Sequence, residues 1–153
     1  MRILVCVDGS EHSQKALEMA AKIGVGCNVE EVLIIYVYDS MSDTYLSFLG
    51  DEGGGITEEQ MEHMRKAMEM AKKDKKKILT KASDFFKKKG IMSHTIFKEG
   101  HPSHTIVNVA HGEKVDMIVI GSRGLSGFKK VFLGSVSNAV VQEVKDCSVL
   151  IVK

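Results

Sequence analysis

The stretch Met117-Ile-Val-Ile-Gly121-Ser-Arg-Gly124-Leu-Ser-Gly127-Phe-Lys-Lys-Val-Phe-Leu-Gly134-Ser135-Val-Ser137 runs from an unbroken apolar segment, through glycines, into helical spacing. Its opening residues are apolar at both alternations, the pattern of a strand covered on two faces. After Gly134, the residues Val136, Ala139, Val140 and Val144 recur at intervals that place them on one side of a helix. Strand, glycine turn and helix make half of a βαβ unit, and the rest of the chain repeats the plan.

Four further apolar runs, Ile3–Val7, Val32–Val37, Ser93–Phe97 and Val149–Val152, have the length and β-branched content of strands. Helical stretches separate them. His12–Ile23 carries Ala16, Leu17, Ala20, Ala21 and Ile23 on one side, with Asp8, Ser10 and Ser13 available to cap its start. Gly24-Val-Gly26 reads as its C-cap. Pro102 opens another helix, continued by Ile106, Val107, Val109 and Ala110. This rhythm predicts one α/β domain over residues 1–153, a mostly parallel sheet with helices on both faces.

One helical stretch is oversized. Thr57–Lys89 keeps Met61, Met64, Met68, Ala71, Ile78, Ala82 and Phe85 in step, interrupted by Lys75. It would run roughly 50 Å against roughly 17 Å for a five-residue strand, so its first half must project, bend or pack elsewhere. Its lysine runs, Lys72–Lys77 and Lys87–Lys89, read as solvated faces, while its methionines offer a contact surface for a protein partner. The preceding Gly50–Gly55 reads as a flexible loop.

The chain's 153 residues are 44% hydrophobic and 27% charged, which excludes disordered and fibrous classes. Lys and Arg number 21 against 20 Asp and Glu, a balance that argues against a dedicated nucleic-acid binder. No apolar run approaches the length of a membrane span. The opening Met1-Arg-Ile-Leu-Val-Cys-Val-Asp8 meets a carboxylate too soon for a signal-peptide core, so a cytoplasmic protein is expected. Cys6, Cys27 and Cys147 form no metal-ligand spacing and read as reduced thiols. His104 and His111 share a helix face but lie roughly 10 Å apart, too far for one metal ion. Asp8, Ser10 and His12 read as capping groups rather than a hydrolytic triad.

The chemistry concentrates where the opening quotation does. Gly121 and Gly124 leave a buried strand, and Gly134-Ser135 opens a helix whose first N–H groups lack intrahelical partners. A strand end, a glycine turn and a helix amino terminus together suit a phosphate group. Ser135 and Ser137 hydroxyls, with Arg123, Lys129 and Lys130, can add to it. A helix terminus is worth roughly 0.3–1 kcal/mol to an anion, while micromolar binding needs about 8 kcal/mol. A base must therefore be buried as well. Asp8 ends the first strand and can accept a bond from a ribose or an amine, with Cys6 on the same side. The G-x-x-x-x-G-K-[ST] loop is missing, and no G-x-G-x-x-G follows a strand.

The spacing Gly121-x2-Gly124-x9-Gly134-Ser135, the opening Ile3-Leu-Val-Cys-Val-Asp8-Gly-Ser10-Glu-His-Ser and the closing Val149-Leu-Ile-Val resemble the universal stress protein family. The G-2x-G-9x-G-[ST] spacing resembles its ATP-binding branch. The resemblance implies a Rossmann-like open sheet of five parallel strands in order 3-2-1-4-5. It places adenine among Cys6, Val7, Asp8, Val37 and Ile120, beside the turn at Ser10, and Gly121 against the ribose. Ser122, Arg123, Gly124, Leu125, Ser126 and Gly127 would wrap sugar and phosphates. Gly134, Ser135, Val136 and Ser137 would hold the phosphates of ATP, with Mg²⁺ or Mn²⁺ bridging their oxygens. Arg123 stands where some members carry histidine, and Asp146-Cys147-Ser148 where many carry proline.

The resemblance also implies a stress-associated regulatory protein. No residue is placed to activate water, so any ATP hydrolysis should be slow or partner-dependent. The last strand ends at a sheet edge, and pairing with a second copy would give a two-fold homodimer. The alternatives are an interaction module acting through the Met-rich helix, and a nucleotidyl transferase or ATP pyrophosphatase. The signature motifs of those enzymes are absent.

Overall fold

The computed structural model describes residues 1–27, 29–39, 57–125 and 133–153. In chain order the elements are β1 (Arg2–Cys6), α1 (Glu11–Gly26), β2 (Glu31–Tyr38), α2 (Glu58–Lys88), β3 (Ser93–Glu99), α3 (Pro102–Gly112), β4 (Met117–Gly121), α4 (Ser135–Glu143) and β5 (Ser148–Val152). Neighbouring strands are parallel, in the order β3-β2-β1-β4-β5. The path of the chain therefore reverses between β1 and β4, as the resemblance implies.

The central strand shows why the sheet is covered twice. Successive side chains of a strand point to opposite faces. Ile3, Val5 and Val7 pack with Leu17 and Ala20 of α1 and with Leu79 and Phe86 of α2. Leu4 and Cys6 pack with Ile106 and Ala110 of α3 and Val140 of α4. Ile3, Leu4 and Val5 are all fully buried, so neither face could be polar.

Local chemistry sets the turns. Gly9 sits at φ +86, a left-handed turn that lets β1 reverse into α1, and an added Cβ would lie 3.0 Å from Ile78 Cδ1. Ser10 is the N-cap: its Oγ accepts from the Ser13 N–H at 3.1 Å, and Ser13 Oγ donates to the Ser10 carbonyl at 2.9 Å. Asp8 acts one step earlier, its Oδ1 accepting the Ser10 N–H at 2.9 Å. The expected C-cap at Gly24–Gly26 is corrected. The helix runs through both glycines to a Cys27 cap, and neither has a positive φ. Gly24 has a packing reason, since a Cβ there would meet Ile91 Cδ1 at 2.9 Å.

α2 is one continuous helix of 31 residues, started by a Thr57–Gln60 capping box. At about 46 Å it outruns β2, which spans about 26 Å. Burial is confined to its last third, at Leu79, Ala82 and Phe86, whereas Met61 and Met70 are 52% and 69% exposed. Two of its lysines also reach the sheet. Lys72 Nζ donates to Glu99 at 2.8 Å and lies over the Tyr38 ring, and Lys76 lies over Phe97. Their stems seal the joint between α2 and the outer half of the sheet.

The two sheet edges differ. β3 exposes His94, Thr95, Lys98 and Glu99. β5 presents Ser-Val-Leu-Ile-Val, half-buried at its three central positions. Ser148 N–H donates to Asp116 O, and Val152 O accepts from Ser122 N–H. Alternation along the strand then turns the backbone groups of Val149 and Ile151 toward the open edge. No described helix is long and apolar enough to cross a membrane.

Candidate functional site

Above the carboxyl ends of β1, β2 and β4, where the strand order reverses, lies a cavity of about 450 Å³. Its apolar floor comes from Ile35 and Val37 of β2, Ile120 of β4, and Pro102 and Ile106 of α3. Its polar rim comes from Asp8, Asp39, Arg123 and the first turn of α4. A crevice at such a reversal is where open α/β sheets take ligands.

The rim ends on the amino terminus of α4. Gly134 is the N-cap, and no side chain caps it. Among the described residues, the N–H groups of Ser135, Val136 and Ser137 meet no acceptor. They form a cluster of donors at the positive end of the helix dipole, and they line the cavity.

Two of the three motif glycines, Gly121 and Gly124, are explained by close approach. None of the three has φ in the left-handed range. A Cβ on Gly121 would lie 2.8 Å from both the carbonyl carbon and Cβ of His12, so this glycine lets α1 press against the end of β4. A Cβ on Gly124 would lie 2.7 Å from Asp8 Oδ2. Gly124 thus reserves the space in which the Asp8 carboxylate sits, with Oδ1 tied to the Ser10 amide. At Gly134 the nearest atom would be Arg123 Cα at 3.4 Å, an ordinary contact.

Most of the residues expected at the site line this cavity together: Cys6, Val7 and Asp8 from the end of β1, Val37, Ile120 and Gly121 from neighbouring strands. Arg123, Gly124 and Leu125 line it from the glycine turn, and Gly134, Ser135, Val136 and Ser137 from α4. Ser10 and Ser122 do not line it. Ser10 is buried as the α1 cap, and Ser122 is 1% exposed behind the turn. Ser126, Gly127, Lys129 and Lys130 lie outside the described residues, as does Gly50–Gly55.

Ser137 needs a correction. Its Oγ–H is shared between the carbonyls of Ser122 at 3.1 Å and Gly134 at 3.0 Å, so the hydroxyl proton is not directed at a ligand. Five lining residues escaped the sequence reading: Ser13, Ile35, Asp39, Pro102 and Ile106. A signal existed for two of them, because Ile35 and Asp39 flank Val37 at the two-residue period of a strand.

Electrostatics divide the groups. Burial, helped by the charge of Asp8, pushes the Cys6 thiol far above its ordinary value of 9.0, so it stays protonated and unreactive. Glu11, in the first turn of α1, is held below the usual carboxylate range by its hydrogen bond to Lys15, and more weakly by His12 and Arg123. His104 lies 3.5 Å from Glu143 and His111 2.9 Å from Asp146, away from the cavity.

A doubly wound sheet with this crevice, glycine turn and open helix terminus defines a Rossmann-like α/β domain. The family model described as "Universal stress protein family" matches residues 1–153, and the chain belongs to that family. It is 37% identical over 152 residues to universal stress protein YxiE of Bacillus subtilis, covering 99% of this chain and 98% of the relative. The solved structure of MJ0577, a universal stress protein of Methanocaldococcus jannaschii, superposes with a TM-score of 0.75 at 28% identity, covering 99% of this chain and 94% of that one. A universal stress protein solved in complex with cAMP matches with a TM-score of 0.64 at 25% identity, covering 99% and 95%.

Proposed function

We propose that this chain is an ATP-binding member of its family, a cytoplasmic regulatory protein of the stress response with at most slow or partner-dependent ATP hydrolysis. The observation that carries the reading is the first turn of α4. Three N–H donors without an acceptor among the described residues line the same cavity as Asp8, an acceptor fixed at the end of β1. Phosphates suit the donors, and a ribose hydroxyl or exocyclic amine suits the carboxylate. A cavity of about 450 Å³ falls within the roughly 300–1,000 Å³ usual for small-molecule sites. Its apolar floor supplies the contact a purine needs. Mg²⁺ or Mn²⁺ would draw its ligands from phosphate oxygens and water, as Mg²⁺ usually does. The fold neighbour that holds cAMP supports an adenine nucleotide.

Calorimetric titration of ATP with Mg²⁺ tests this, paired with Gly134→Glu. The new carboxylate would occupy the N-cap and repel phosphate while favouring the helix. The expected result is loss of nucleotide heat with an unchanged circular dichroism spectrum. Normal binding by that variant refutes the site. The exposed Met61 and Met70 favour a second reading, an interaction module contacting a protein partner along α2. On that reading, saturating ATP leaves the melting temperature unmoved. The open edge of β5 supports a two-fold homodimer by antiparallel strand pairing.

A further inference from the structure

We propose that Ser137 has a positioning role: its hydroxyl, turned away from the ligand, aims the donors of α4, the Ser137 N–H among them, at the phosphates. The inference rests on the nucleotide reading above and deepens it.

Four backbone and hydroxyl contacts tie the two ends of the glycine turn to each other and to the sheet. Ser122 N–H donates to Val152 O at 2.7 Å, which pins the exit of β4 to β5. Ser122 O then accepts the Gly134 N–H at 2.8 Å and the Ser137 hydroxyl at 3.1 Å. The same hydroxyl reaches the Gly134 carbonyl at 3.0 Å. Ser122 and Ser137 are 1% and 2% exposed, so this knot is sheltered from competing water. Whatever the residues between 122 and 134 do, the helix start is held to the sheet from behind.

The knot solves a problem that glycine creates. An N-cap serine or aspartate would fix the start of α4, but its side chain would take the N–H groups that a phosphate needs. Gly134 leaves those donors open and supplies no anchor of its own. Ser137 restores the anchor from the buried side of the helix, three residues on. Its hydroxyl binds carbonyls and leaves its own N–H directed outward. Fixed donors lose less on binding than donors that must first be ordered. Ser137 should therefore contribute to phosphate affinity and not to the purine.

The test compares ATP with adenosine, titrated into wild-type protein, Ser137→Ala and Ser137→Thr, with melting curves alongside. In Ser137→Ala the ratio of ATP to adenosine affinity is expected to fall about three- to tenfold, the scale of one hydrogen bond. Adenosine affinity itself should stay within about twofold. Ser137→Thr, which keeps the hydroxyl, should restore the ratio. Equal losses for both ligands, or an unchanged ratio, overturn the assignment. If Ser137→Ala does not fold, Ser137→Cys, a weaker donor of similar size, carries the same comparison: a reduced ratio supports the assignment and an unchanged one overturns it. Wild-type protein that binds neither ligand overturns the nucleotide reading itself, and this inference with it.

Discussion

Gly121→Ala and Gly134→Ala alter two glycines of one motif and should have unlike consequences. At Gly121 the added methyl would lie 2.8 Å from the carbonyl carbon of His12 and 2.9 Å from its oxygen. Those atoms belong to the backbone of α1, which cannot swing aside as a side-chain tip can. Relief requires the helix to back away from β4, loosening the buried packing of Ala16, Leu17 and Ala20. Overpacking of this kind costs about 1–3 kcal/mol, and a backbone obstacle belongs near the upper end. For a domain of this size that is a fall of about 5–10 °C in melting temperature. At Gly134 the methyl would meet Arg123 Cα at 3.4 Å and need displace nothing. Its cost is the poorer N-cap, about 1 kcal/mol or less, hence about 2–4 °C. Thermal unfolding followed by circular dichroism, with both variants on one plate, decides the matter. A Gly121→Ala protein that melts within about 2 °C of wild type, or below Gly134→Ala in cost, refutes the close-approach explanation.

Four further outcomes are expected. Phe86→Ala should destabilise by about 3–5 kcal/mol, because a fully buried ring leaves a cavity; Phe85→Ala should cost less than half as much in a denaturant titration. Thiol labelling should proceed in the order Cys27, which is exposed, then Cys147, then buried Cys6 only on unfolding. Because the folded pKa of Cys6 is raised, its contribution to stability is fully present below the ordinary thiol value of 9.0 and declines as pH rises beyond it. Cys6→Ala should flatten that alkaline decline in melting temperature. Ile151→Pro removes an edge N–H that the β4 ladder does not use, so it should abolish self-association in sedimentation velocity while preserving the fold; a dimer that persists would exclude pairing through β5.

The strand plan was legible because β1, β2 and β4 are covered twice and so are apolar without interruption. Observed strands begin or end within two residues of those runs. The seam of α2 was less legible. Periodicity selected Phe85, whereas Phe86 and Leu79 carry the burial and Phe85 packs at their margin. Two adjacent aromatic rings sit about 100° apart on a helix, and spacing alone cannot choose which one the sheet receives. The glycines at the exit of β4 are legible in the sequence, but the neighbours that exclude a side chain there are not. What excludes a Cβ at Gly121 and Gly124 is α1 and Asp8, distant in sequence and invisible until the fold closes. The sequence marks Pro102 and Ile106 only as helix formers for the same reason, since their place in the cavity depends on how α3 is set against β2.

On the proposed pairing through β5, the unequal sheet margins would limit how large an assembly of these chains can grow. Strand addition is self-propagating when both borders of a sheet accept a neighbour, as in a fibril. Here the β3 border is studded with His94 and Lys98 and clamped by the Lys72–Glu99 bond, leaving β5 as the receptive side. A unit with a single receptive side can be joined once, after which nothing remains to extend.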